Sequence, residues 1–241
     1  SSTRFHGFRI GLSRSRVKGK LTKMIDPLKQ VFERRRSLRS RVQIKGRIQE
    51  LHDSCIPSDC HPNWAASIVA WWRLFQARRL YKRFGTEGAV LDFGSGTGEL
   101  GHLLGQDIEY HFVENDEEQL HILKQDLPYA VRHDTSAVPK NSFSFVFALD
   151  SLEHNENFPE LIDLLVGSFK PGGQLLICGP TENFLYRIGR AIAGFTGEQH
   201  VTNIYAIEKV LAEKLDKVAI KTVFFGLPLF RLSVWRGKQS A

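Results

Sequence analysis

The spacing of apolar residues changes several times along the chain, and each change predicts an element. Ala89 to Phe93 carries apolar residues on both faces, the pattern of a short strand buried in a parallel sheet. Glu109–Glu114, Tyr129–Arg132, Phe143–Leu149 and Gln174–Cys178 repeat that kind of run, and F-S-F-V-F-A-L from Phe143 is strongly β-prone. Helix-period segments separate them. Leu100, Leu103 and Leu104 share one side after Glu99, and Leu120, Ile122 and Leu123 follow Asp116, a good N-cap. Phe158–Phe169 stops at Lys170-Pro171-Gly172-Gly173. Such alternation predicts an α/β sheet. A last helix over Ile204–Leu215 leads into Lys217–Phe225 and Leu229–Trp235. Their short Gly226-Leu227-Pro228 connection makes that pair antiparallel.

Two helical segments precede the first strand. Over Asn63–Phe84, the apolar residues Ile68, Trp71, Trp72, Leu74, Phe75, Leu80 and Tyr81 exceed one stripe, so this helix is expected to be well buried. Further upstream, Asp26-Pro27 suits a helix start. Leu28, Val31, Phe32, Leu38 and Val42 then recur irregularly among Arg34, Arg35, Arg36, Arg39 and Arg41, which makes a basic, imperfectly amphipathic helix. His52–Asn63, with Pro57 and Pro62, reads as a loop. The expected organisation is a basic, partly helical extension over residues 1–61 and a domain over 62–241. Within that domain, residues 183–203 break the alternation and are expected to form a cap.

Charge sharpens the division. The 241 residues carry a net +7, yet residues 1–49 hold 15 Lys or Arg against Asp26 and Glu33, which is +13 and leaves −6 on the remainder. Such an arm suits its own domain, an anionic membrane surface or nucleic acid. A 42% hydrophobic composition belongs to an ordinary folded domain. Cys55, Cys60 and Cys178 are too few and too irregular for a disulfide framework. Cys55, Cys60 and His61 lack a fourth ligand at finger-like spacing, so no metal site is expected. No run of about 18 apolar residues occurs, and no signal-peptide core stands near the start. The expected setting is cytoplasmic, with association to a membrane surface as an open addition.

The chemistry concentrates in G-A-V-L-D-F-G-S-G-T-G, Gly88 to Gly98. A strand breaks into three glycines at alternate positions, Gly94, Gly96 and Gly98, and a helix follows. Glycines there turn sharply and approach a ligand without a Cβ between, so the unit holds a nucleotide-like ligand at the strand's C-terminal end. A dinucleotide fingerprint requires glycine at the sixth position, which here is Glu99. Its acid would repel a pyrophosphate at the helix N-terminus. A ligand without phosphate, such as S-adenosylmethionine, meets no such objection.

V-L-D-F-G-S-G-T-G closely resembles the first motif of class I S-adenosylmethionine-dependent methyltransferases. D-S-L-E-H, Asp150 to His154, resembles the fourth-strand motif of small-molecule and lipid methyltransferases. K-P-G-G-Q-L-L-I looks like their turn into strand five, and W-W-R-L-F-Q-A-R-R-L looks like their helix before strand one. The resemblance implies a Rossmann-like, doubly wound, seven-stranded and mostly parallel sheet with one antiparallel strand. It implies S-adenosylmethionine as cofactor and S-adenosylhomocysteine as product. Cofactor contacts would come from Gly94, Ser95, Gly96 and Gly98, with Leu149 at the end of strand four. Glu114, ending strand two, is placed to accept both ribose hydroxyls, with Asn115 beside it. Asp134, followed by Thr135, would meet the adenine amine, and equally suits a loop cap. Arg78 would cover the cofactor's carboxylate, and equally suits a solvated outer face.

Methyl transfer needs alignment more than leaving-group activation, because the sulfonium is already charged. For a hydroxyl acceptor, His154 at the end of strand four and His200 in the cap are the general-base candidates. Either equally suits a structural hydrogen bond. The Asn/Asp-Pro-Pro-aromatic tetrapeptide of DNA amino-methylation is replaced by D-S-L-E, and Cys178 precedes Gly179-Pro180 instead of following a proline. Both base chemistries are disfavoured. A small-molecule, lipid-linked or glycan acceptor is expected, with RNA methylation served by the basic arm as the alternative.

Overall fold

The computed structural model of the chain describes residues 29, 31–42, 56–181, 202–223 and 229–238. Contacts divide the chain into two compact units, Ser1–Val42 and Gln43–Ala241. In the first unit a helix, α1, runs over residues 31–41, where the arginine-rich pattern predicts one. Phe32 on it is 52% exposed.

The second unit opens with the short helix α2 (Ile56–Asp59) and the long helix α3 (Trp64–Phe84). These two are stitched together: the Asp59 carbonyl accepts from Ser67 Oγ at 2.8 Å and from Trp71 Nε1 at 2.9 Å. Residues 56–61 therefore belong with the larger unit. There follow β1 (Val90–Phe93), α4 (Glu99–Leu104), β2 (Tyr110–Val113), α5 (Glu117–Asp126), β3 (Val131–Arg132), β4 (Phe143–Leu149), α6 (Phe158–Gly167) and β5 (Phe169–Pro180). The unit closes with α7 (Ile204–Lys214), β6 (Leu215–Val223) and β7 (Phe230–Gly237).

The strands form one seven-stranded sheet in the order β3-β2-β1-β4-β5-β7-β6. All pairings from β3 to β5 are parallel, and β7 runs antiparallel to both β5 and β6. That is the doubly wound sheet with one reversed strand. The chain winds outward from β1 in both directions, so a crevice opens at the C-terminal ends of β1 and β4, where such folds bind ligands. β4 is buried at all seven positions, which explains its unbroken run of apolar residues and a serine. Its Phe145 and Phe147 meet the Tyr81 ring of α3, with centroids 5.1 and 5.6 Å away. On the other face, Val146 and Ala148 join a core with Ile162 and Leu165 of α6 and Ile207 and Leu211 of α7.

Two expectations are corrected. α3 is not buried all round: Ala70, Trp71, Leu74, Ala77 and Leu80 are buried, but Ile68 is 50% and Trp72 40% exposed. One face packs on the sheet, and Ile68 and Trp72 lie outside that packing. Strand β5 begins at Phe169 and not at Gln174, although Lys170–Gly173 pairs with neither β4 nor β7 and bulges between Phe169 and Gln174, with Gly172 at φ +81°, as the expected turn. The expected cap over residues 183–203 falls almost wholly outside the described residues. No described helix is long and apolar enough to cross a membrane.

Candidate active site

The glycine loop is built by backbone hydrogen bonds to the end of β2. The N–H groups of Gly94 and Ser95 both donate to the Val113 carbonyl, at 2.9 and 3.2 Å, and Gly98 N–H donates to Ser95 O at 3.0 Å. Gly94 has φ +74°, and a Cβ there would sit 2.5 Å from the Ser151 Cβ, so the tip of β4 presses where only glycine fits. Gly98 caps α4 with φ +86°, and a Cβ would meet Leu127 Cδ1 at 2.9 Å. Gly94 is closed to other residues by conformation and by space, and Gly98 by conformation.

Glu114 follows β2 directly and turns its carboxylate back onto this loop. Oε2 accepts from Gly96 N–H at 2.7 Å, and Oε1 accepts from Asn115 and Asp116 N–H at 2.8 Å each. Burial raises its pKa above the ordinary carboxylate value, and the three N–H donors pull against that rise. A carboxylate has about four lone-pair sites, so one fixed by three donors still presents acceptor capacity outward. Asp116 caps α5 through Gln119 N–H at 2.9 Å, the role its position predicts.

Beside the loop lies a cavity lined by Asp59, Arg73, Leu74, Asp92, Gly94, Ser95, Glu99, Leu100 and Leu149. Its charges are unusual for so buried a place. Arg73 is 6% exposed, forms an ion pair with Asp150 and lies 5.7 Å from the centre of the Phe230 ring. Asp150 ends β4 with φ +51° and donates its N–H to Cys178 O at 2.9 Å. Asp92 is 2% exposed and accepts from the Tyr110 hydroxyl at 2.5 Å. Burial is the main reason its pKa rises to about 7, with Tyr110 opposing and the carboxylates of Glu114 and Glu99 adding to the rise. The Thr97 hydroxyl donates to buried Glu99. The buried polar atoms at the cavity that make no hydrogen bond include Arg73 Nε and Ser95 Oγ. Such orphaned groups imply a polar ligand.

A family model described as a methyltransferase domain matches residues 72–211, more than half of the chain. The chain belongs to this family. It is a class I, S-adenosylmethionine-dependent methyltransferase. Solved structures agree in fold. The N-methyltransferase NodS from Bradyrhizobium japonicum WM9, in complex with S-adenosylhomocysteine, is 16% identical with a TM-score of 0.58, covering 71% of this chain and 88% of that one. Magnesium protoporphyrin IX methyltransferase from Synechocystis PCC 6803, with bound S-adenosylhomocysteine, is 15% identical with a TM-score of 0.59, covering 80% of this chain and all of that one. No curated protein sequence matches the chain.

In this methyltransferase the sequence-predicted residues distribute unevenly. Gly94, Ser95 and Leu149 line the cavity, and Gly96 and Gly98 complete its loop. Glu114 and Asn115 sit against the loop through the bonds above. Asp134 and Thr135 stand at the end of β3, with Asp134 exposed and 3.6 Å from Arg132. Asp134 precedes a 3-10 turn but makes no side-chain cap bond there. Arg78 does not line the cavity, whereas Arg73 does. The two are about 140° apart around the helix, and Arg73 falls on the buried stripe with Ala70, Ala77 and Leu80. That phase was the available signal for choosing between the arginines. His154 ends a 3-10 turn, is exposed and is not among the residues that line the cavity; His200 lies outside the described residues.

Proposed function

We propose that this methyltransferase holds S-adenosylmethionine across the glycine loop, with Glu114 accepting the ribose hydroxyls and Arg73 with Ser95 meeting the amino-acid carboxylate. The observation that carries the reading is a matched pair of anchors. At one end is a carboxylate fixed by three backbone donors; at the other is a buried guanidinium whose Nε, like the Ser95 hydroxyl, has no partner. These fit a ligand that is a ribonucleoside at one end and a carboxylate at the other. When bound, the cofactor supplies an electrophilic methyl group. The protein's own contribution is alignment, worth up to about 7–11 kcal/mol.

The acceptor we favour is a small-molecule, lipid-linked or glycan hydroxyl, with His154 as the base that takes its proton, an effect of roughly 10²–10⁴ in rate. What supports this is that His154 closes the D-S-L-E-H tract after β4 and is exposed to solvent. Cys178 supports setting cytosine-carbon chemistry aside, because burial pushes its thiol up to about 12, against the pull of Arg73. RNA methylation rests only on the basic arm.

Isothermal titration tests the cofactor reading. Glu114→Ala and Arg73→Ala each remove a charge-assisted contact worth about 1.5–3 kcal/mol, so each should weaken binding of S-adenosylmethionine and S-adenosylhomocysteine by roughly ten- to a hundredfold. Unchanged affinity in both variants, or tighter binding of NAD by the wild type, would overturn it.

A further inference from the structure

The outer face of α3 is the largest feature that the active site does not use. Trp64, Ile68 and Trp72 recur every fourth residue and are 43, 50 and 40% exposed. Arg79, Lys82 and Arg83 are also exposed and continue the same stripe toward the helix C-terminus. At 3.6 residues per turn the six positions fall within about 100° of arc. Arg73, Leu74, Ala77 and Leu80 occupy the opposite side and are buried. The face is thus divided along its length: aromatic and apolar in its first half, cationic in its second.

The cationic half is uncompensated. Arg79, Lys82 and Arg83 enter none of the ion pairs among the described residues. On the neighbouring strand β6, burial and then the charge of Arg79 lower the pKa of Lys221, so one more cation adds to the same region.

We propose that this face of α3 is a docking surface for an anionic phospholipid membrane. Charge complementarity selects the occupant. Exposed Trp and Ile insert at the level of the head groups, and Arg and Lys on the same helix reach phosphates in the plane above them. Phosphate recognition alone would need only the cations, and leaves two exposed tryptophans and an isoleucine unexplained. The face lies on the side of α3 opposite the cavity-lining Arg73 and Leu74, so the docking does not depend on the reading of the acceptor.

Tryptophan fluorescence of the full chain tests the proposal, because the four tryptophans are Trp64, Trp71, Trp72 and Trp235 and the basic arm has none. Vesicles of phosphatidylcholine with phosphatidylglycerol should shift the emission to the blue, and brominated acyl chains should quench it. Neutral vesicles should do neither. Ile68→Ser with Trp72→Ser, and separately Arg79→Glu with Lys82→Glu and Arg83→Glu, should each lower vesicle co-sedimentation at least tenfold. Affinity for S-adenosylhomocysteine, read by titration, should stay within about twofold and shows that each variant is folded. A failure of the cofactor reading would appear only in that titration, and a failure of docking only with vesicles. Vesicle binding without quenching assigns the membrane contact to the arm and overturns the proposal. So does vesicle binding unaffected by both sets of substitutions, a dimer that Ile68→Ser dissociates, or loss of RNA retention in these variants with vesicles ignored.

Discussion

Asp92 sits on β1 directly before the glycine loop, and replacing it with asparagine should make the protein more stable at neutral and alkaline pH. The carboxyl is buried, and its pKa rises from an ordinary 3.8 to about 7. An acid whose folded pKa is raised binds its proton more tightly in the native state. Ionising it therefore costs stability, and the loss grows as pH climbs from the unfolded value through the folded one. The full interval between 3.8 and about 7 corresponds to roughly 4 kcal/mol, of which about 2.5 kcal/mol accrues between pH 5 and pH 8. Asparagine keeps an oxygen to accept from Tyr110 and carries no proton to lose. The melting temperature of Asp92→Asn relative to wild type should thus improve by about 5–10 °C between pH 5 and pH 8, at the 2–4 °C per kcal/mol of a chain this size. Taking the difference between the two proteins removes the titrations of Glu208 and His133, which they share. Parallel curves across that range would show that Asp92 ionises in the fold like an ordinary carboxylate, and would refute the reasoning.

Two further outcomes are expected. Glu208 on α7 is 5% exposed and receives Arg231 Nε at 2.9 Å, Arg231 Nη2 at 3.0 Å and Lys217 Nζ at 2.8 Å. Burial would raise its pKa, but the hydrogen bonds from Arg231, Lys217 and Ser233 outweigh it, so its stabilisation is present above the ordinary value of 4.5 and fades as pH falls below it. Glu208→Ala should cost toward the lower end of the roughly 3–5 kcal/mol of a broken buried pair, since Lys217 stays partly hydrated, and urea unfolding at pH 7 measures it. His154→Ala should lower turnover at least tenfold with cofactor affinity nearly unchanged; full turnover across neutral pH would make His154 structural.

What was legible in the sequence is what short stretches decide by themselves. The glycine loop, the almost wholly apolar β4 and the Asp116 cap each carry their signal within about ten residues, and each stands where the pattern predicts it. The reversed strand β7 was legible through the short connection before it and through family resemblance. Long-range partners were not. Nothing near Asp92 announces Tyr110, which is delivered by the register Val90↔Tyr110 between β1 and β2. Arg73 and Arg78 look alike as letters, and only their phase relative to Ala70, Ala77 and Leu80 separates them. α3 misled for a related reason. Its number of apolar residues suggested burial on all sides, yet the sheet covers one side only, leaving Ile68 and Trp72 outside.

The two margins of the sheet have a consequence for how this protein behaves at high concentration. An open β-sheet offers a row of unpaired backbone groups at each end, and a neighbouring molecule can extend it indefinitely. Here one margin, β3, is only two residues long and carries Arg132. The other, β6, is long, but its pairing with β7 shifts between Lys217 and Ala219, and Asp216, Lys217 and Lys221 punctuate it. Neither margin is a flat, uncharged template. Strand-by-strand growth into fibrils is therefore disfavoured at both margins of this sheet.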